Sequence, residues 1–111
     1  MAKYECSFQS DFDAVLNAIH SGIIGGSISA KMEDQSDYMA NGIRCAVRVY
    51  ERYSMAGSNR VSLNVTLIGN GGELFISAIT SGGSQAVFFK INTIGEETFL
   101  NRLVEIVERY R

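Results

Sequence analysis

The chain has no proline and no tryptophan, a single histidine and two cysteines among its 111 residues. Each scarcity removes a class of protein. Without proline, nothing marks a rigid linker or a polyproline segment. His20, Cys6 and Cys45, with no Cys-x-x-Cys pair, offer too few ligands of the right spacing for a zinc site, so no metal is expected. An excess of charge of one sign is missing too: ten Lys and Arg stand against twelve Asp and Glu, a net charge of −2 that gives no general attraction to nucleic acid or anionic lipid. No stretch approaches the ~20 apolar residues of a membrane-spanning helix. Met1-Ala2-Lys3-Tyr4-Glu5-Cys6 lacks a signal peptide's apolar core, which predicts a cytoplasmic protein without a membrane partner. In that compartment both cysteines are expected to be reduced, and their positions in alternating segments predict that both are buried.

What remains is ordinary for a globular chain, 46% hydrophobic and 20% charged. No repeat, linker or charge block divides it, so a single domain over residues 1–111 is expected. The stretch from Ile43 to Ile91 organises that domain as alternating strands joined by glycine-centred turns. Asn70-Gly71 is a strong hairpin signal, because both central residues of a type I′ turn need positive φ. With that loop, Leu67 opposes Leu74 and Val65 opposes Ile76. A second loop at Gly82-Gly83 sets Ile76 against Phe89 and Leu74 against Ile91, and a loop at Ser54–Ser58 sets Val49 against Leu63 and Val47 against Val65. All three turns bring apolar residues to one face.

Before the meander, Tyr4, Cys6 and Phe8 alternate as a first strand. Ser10 is the expected cap of a helix carrying Phe12, Val15, Leu16, Ile19 and Ile23 on one stripe and ending at Gly25-Gly26. Ile28, Ala30 and Met32 begin a second strand. A tight Asn41-Gly42 hairpin would set Asp34 and Ser36 on the buried side against Val49 and Val47, so a bulge or loop is expected near Asp34–Asp37. After the meander, Thr93 and Glu96 form a capping box for a helix with Phe99, Leu100, Leu103, Val104, Ile106, Val107 and Tyr110 at helical spacing. The predicted order is β-α-β-β-β-β-β-α, an α+β two-layer sandwich with both helices on one face of a curved antiparallel sheet.

This element order resembles the TATA-binding-protein-like, or helix-grip, architecture. Arg44-Cys45-Ala46-Val47-Arg48-Val49-Tyr50-Glu51-Arg52-Tyr53 and the run from Ser77 to Ile91 are similar to a family of small uncharacterised bacterial proteins of about 110 residues, a domain of unknown function. That likeness implies a single-domain bacterial cytoplasmic protein and brings no activity. The helix-grip likeness implies a ligand cavity between sheet and helix, or nucleic acid on the sheet.

No catalytic, cofactor-binding or metal-binding constellation stands out. His20 reads as a residue near a helix C-terminus, and Glu33, Asp34 and Asp37 lack the spacing of a calcium loop. The glycine-rich turns at Gly69–Gly72 and Ser81–Ser84 precede no helix and match no phosphate loop. The informative surface is the expected outward face of the meander, carrying Arg44, Arg48, Tyr50, Arg52, Phe75, Ile79 and Phe88. An apolar patch rimmed by arginine predicts a non-enzymatic domain that forms a homodimer or binds a partner through its open sheet. The alternative is a small-molecule or lipid binder with a cavity between the sheet and the C-terminal helix. Single-stranded nucleic acid on the sheet would suit aromatics and arginines, and the acidic chain argues against it.

Overall fold

The computed structural model describes residues 1–53, 59–82 and 89–111. Its elements are β1 (Ala2–Gln9), α1 (Phe12–Gly25), β2 (Lys31–Ala40), β3 (Ile43–Tyr53), β4 (Arg60–Asn70), β5 (Glu73–Gly82) and α2 (Phe89–Glu108). The strands form one antiparallel sheet in the order β1-β5-β4-β3-β2. Val15, Ile19 and Ile23 of α1 share one core with Phe99, Leu103 and Ile106 of α2 and with the inward residues of β3, β4 and β5. Both helices therefore cover the same face, and the α+β two-layer arrangement is as the sequence predicts.

The helical stripes fall where the periodicity puts them, and the caps differ. The N-cap of α1 is Asp11, whose carboxylate accepts from the Ala14 backbone N–H at 2.9 Å, rather than Ser10. Thr93 and Glu96 lie inside α2, which starts at Phe89. Phe89 and Ile91, expected in a strand opposite Ile76 and Leu74, belong to the first turns of that helix. Residues 83–88, and with them Phe88, lie outside the described residues, as do Ser54–Ser58. The place beside β5 is taken by β1, which pairs Phe8 with Leu74, Cys6 with Ile76 and Tyr4 with Ala78. Alternation tells which face a side chain takes and says nothing of which strand it meets.

Two registers differ from expectation, with opposite consequences. Between β4 and β5 the turn is Gly71-Gly72, with Gly71 at φ +60°, and Leu67 meets Ile76 rather than Leu74. That is a shift of two residues, so Leu63, Val65, Leu67, Leu74, Ile76 and Ala78 stay buried together. Between β3 and β4 the shift is one residue: Leu63 meets Tyr50 rather than Val49, and Thr66 rather than Val65 meets Val47. A one-residue slip turns every side chain of the strand to the other face. Ala46 and Tyr50 are thus the buried residues of β3, and Arg44, Arg48 and Arg52 share their side of the sheet.

The β2–β3 hairpin does close tightly through Asn41 (φ +55°) and Gly42 (φ +78°). Asp34 pairs with Val49 and Ser36 with Val47, on the side of the sheet away from α1 and α2, where water still reaches the carboxylate. The bulge exists and sits between Met32 and Asp34. Ile28 is fully exposed ahead of β2 rather than inside it.

Gly69 shows how tightly the first helix is seated. A Cβ there would stand 2.6 Å from Phe12 Cδ2 and 3.1 Å from Leu74 Cδ2. Gly69→Ala is therefore expected to lower stability by about 1–3 kcal/mol, the usual cost of overpacking. Urea unfolding followed by circular dichroism should show a lower midpoint with an unchanged slope.

Candidate functional site

The two faces of the sheet have unlike chemistry, and β3 contributes most to the contrast. On the helix side, the guanidinium of Arg44 lies 4.1 Å from the centroid of the Phe12 ring and donates to both carboxylate oxygens of Asp13, at 2.9 and 3.1 Å. That fork holds the Asp13 carboxyl below its ordinary range. Arg48 donates to both oxygens of Asp37 (3.0 and 3.4 Å) and to the backbone oxygens of Ser36 and Val47. Arg52 lies 4.3 Å from the centroid of the Phe99 ring, and burial pulls its guanidinium below the usual range. Each arginine thus packs its stem along the edge of the core and keeps its head on a ring or an acid.

Between these arginines Tyr50 is fully buried, and its phenol meets Nδ1 of His20 at 3.1 Å. Burial pushes the Tyr50 phenol up to about 12, against a small opposing effect from Arg48. The Tyr4 phenol, also pushed up to about 12, chiefly by burial and then by Cys6, donates to Glu108 Oε1 at 3.1 Å. These contacts tie β1 and β3 to the helices. His20 thus serves as a partner for a buried hydroxyl, a role its position in the sequence does not reveal.

On the other side no helix among the described residues covers the sheet. Its cross-strand rows follow from the pairings: Tyr38, Cys45, Ile68, Phe75 and Ser7; then Ser36, Val47, Thr66, Ser77 and Glu5; then Asp34, Val49, Asn64, Ile79 and Lys3. Cys45, Val47, Val49, Ile68 and Phe75 are partly exposed, Ile79 is 38% exposed and Tyr38 70%. A shallow groove lined by Ser7, Gln9, Ile68, Asn70 and Phe75 runs along one end of this face. At the other end Arg60 pairs with Glu33 at 2.8 Å and with Glu51.

Of the residues expected outward, Phe75 and Ile79 are on the open face and Phe88 lies outside the described residues. The expected positions of Arg44, Arg48, Tyr50 and Arg52 are corrected: all four lie on the helix side. The residues missed in their stead are Cys45, Val47 and Val49, whose alternation was visible but assigned to the core. Cys6 and Cys45 are free thiols on opposite faces, and neither is fully buried as expected: Cys6 is partly covered on the helix side and Cys45 is partly exposed on the open one. Among the described residues no group of three or more His, Cys, Asp or Glu side chains is placed to hold a metal ion, and no helix is long and apolar enough to cross a membrane.

The chain belongs to the family of unknown function DUF6054, whose model matches residues 1–111. Among curated proteins none matches it.

The Tyr50 phenol supplies a test of the inverted strand. An unfolded tyrosine ionises near 10 and the folded Tyr50 near 12, so the folded state holds this proton longer. The associated stability is complete below pH 10 and is lost as the pH climbs towards 12. The loss is roughly 2–3 kcal/mol for a shift of this size at a buried site. Urea midpoints measured from pH 8 to 11.5 should fall in the wild type and fall less steeply in Tyr50→Phe. Equal slopes would place the ring in water and contradict the observed register.

Proposed function

We propose that this member of a family without an assigned activity is a non-enzymatic binding domain that associates with a second copy of itself through the open face of its sheet. One observation carries the reading: β3 presents Cys45, Val47 and Val49 to the uncovered side and turns three arginines towards the helices. A strand facing only water is more stable with the opposite polarity, since apolar area left in contact with water forgoes about 25 cal/mol per Å². Exposed apolar area contiguous across β3, β4 and β5 is the usual mark of a contact surface.

The size of the face agrees. Five strands about 4.8 Å apart, with roughly nine residues each at about 3.3 Å, span about 24 by 30 Å, on the order of 700 Å². Each partner in a standard protein interface buries about 800 Å². Polar residues surround the apolar centre, with Lys3, Glu5 and Gln9 on β1 and Asp34 on β2. A twofold contact would hide the same patch on both copies. The non-enzymatic part of the reading draws on the roles of the shifted groups, each engaged within the fold: Asp13 with Arg44, Tyr4 with Glu108, Glu108 with Arg111, Tyr50 with His20, and Arg52 over the Phe99 ring. The helix-side space suggested for a small molecule or lipid is occupied by Leu63, Leu67, Ile76, Leu103 and Ile106, all buried.

Phe75→Glu combined with Ile79→Lys should convert the associated species to a folded monomer by light scattering, with the helical circular dichroism signal unchanged. A wild type that is monomeric at several hundred micromolar would overturn the reading.

A further inference from the structure

The open face changes character along its strands. At one end the row of Tyr38, Cys45, Ile68 and Phe75 is largely apolar. At the other, Lys31 stands opposite Glu51, and Arg60 is bound to Glu33 and Glu51. Between them runs the row of Asp34, Val49, Asn64, Ile79 and Lys3, with an acid at one margin of the sheet and a base at the other. Both charged residues are exposed. Lys3 lies 3.7 Å from Glu5 of its own strand, and Asp34 accepts from the Gln35 backbone N–H at 2.8 Å.

We propose that two copies meet about a twofold axis running along β4, so that β1 of each lies over β2 of the other and Lys3 and Asp34 pair between copies at both margins. This orientation rests on the face contact proposed above and names the residues that make it specific. Sheets packed in alignment cross by only about 30°, so a twofold in the plane of the contact runs close to the strands or close to their perpendicular. A perpendicular axis turns every strand end for end over its own copy and brings the apolar end towards the charged one. Through the middle of the face it would lay Glu51 over Ile43 or Cys45, depending on its height, and strip a carboxylate of water against apolar groups. An axis along the strands keeps each row at its own height, with the apolar end on the apolar end.

The middle strand alone allows full overlap. β4 has two strands on either side, whereas any other axis along the strands leaves at least one strand of each copy uncovered, on a face no larger than a standard contact. About β4, Val49 meets Ile79 and Cys45 meets Phe75. Asn64, Thr66 and Ile68 meet their own counterparts. So does Arg60 at the end of the strand, where Glu33 and Glu51 already hold it. At the margins the acid of one copy comes over the base of the other, twice, and such complementary charge fixes which way round two surfaces meet.

Multi-angle light scattering over a concentration series tests the axis by mixing variants of the full chain. Lys3→Glu brings two carboxylates together at each margin and Asp34→Lys two ammonium groups, so each variant should associate with itself about tenfold more weakly than the wild type. In an equimolar mixture of the two, one margin of the mixed dimer carries both substitutions, a pair with its charges exchanged, and the other margin keeps the native pair. The mixture should therefore associate as the wild type does, and added salt should shrink these differences. Effects confined to one chain, such as the nearness of Glu5 to position 3, are not rescued by mixing. Both residues are exposed, so both variants should keep the helical circular dichroism of the wild type. A mixture no stronger than the variants alone, or single variants that associate like the wild type, overturns the axis; if Phe75→Glu/Ile79→Lys still dissociates the dimer, the face contact stands. A wild type that is monomeric throughout the series overturns the axis and the face contact together.

Discussion

The pairing of Tyr50 with Leu63 sets the phase on which the rest of the structure depends. Tyr50 is among the largest fully buried side chains, with a polar end that needs a partner, and it finds one in His20 of α1. Once the ring is fixed under the helices, period two determines the rest of β3. Ala46 must face inward, where a larger residue would press on the core, and Arg44, Arg48 and Arg52 follow. Their burial is tolerable because each has its own solution: a ring and a carboxylate for Arg44, a carboxylate and carbonyls for Arg48, a ring for Arg52. Arginine suits these half-buried sites, since its flat head is weakly hydrated and stacks on aromatics.

That arrangement explains why the fold was legible in the sequence and the candidate surface only partly so. The helices were visible as stripes, and Leu63, Val65, Leu67 and Ile76 were recognisable as core, because the error of two residues in the β4–β5 turn leaves parity intact. The error of one residue between β3 and β4 does not. Nothing local could correct it. The connection between those strands carries no turn signature as strict as Asn41-Gly42, and Val47 and Val49 are better core residues on any hydropathy argument than Arg48 and Tyr50. The signal that would have decided the phase is the partner of the tyrosine, and His20 lies thirty positions away on a helix. The strand beside β5 was hidden for a similar reason, since β1 comes from the far end of the chain.

The inversion also accounts for β2. Asp34 and Ser36 looked unsuited to a strand because they would face a buried Val49 and Val47; with those valines on the open side, Asp34 stays in water, and Asp37, on the helix side, meets Arg48. The hairpin is consistent with either polarity, whereas the charges fit only the observed one. Local signals and the global fold agree once a single parity is changed, as expected of a chain that specifies one structure.

The direction of that change bears on what can occupy the open face. A single-stranded nucleic acid needs cations along its backbone as well as rings for its bases. The arginines that made such a ligand conceivable are on the opposite side, and Arg44 and Arg48 are already bonded to carboxylates there. What stays outward is a centre of Cys45, Val47, Ile68 and Phe75 bounded by Ser7, Gln9, Asn64 and Asp34. An apolar centre with a polar margin of small net charge is the composition of a surface that meets another protein surface. Because the face is shallow rather than concave, the area a partner can cover depends on its own flatness, which is why the contact proposed above takes a second sheet of the same dimensions as its partner.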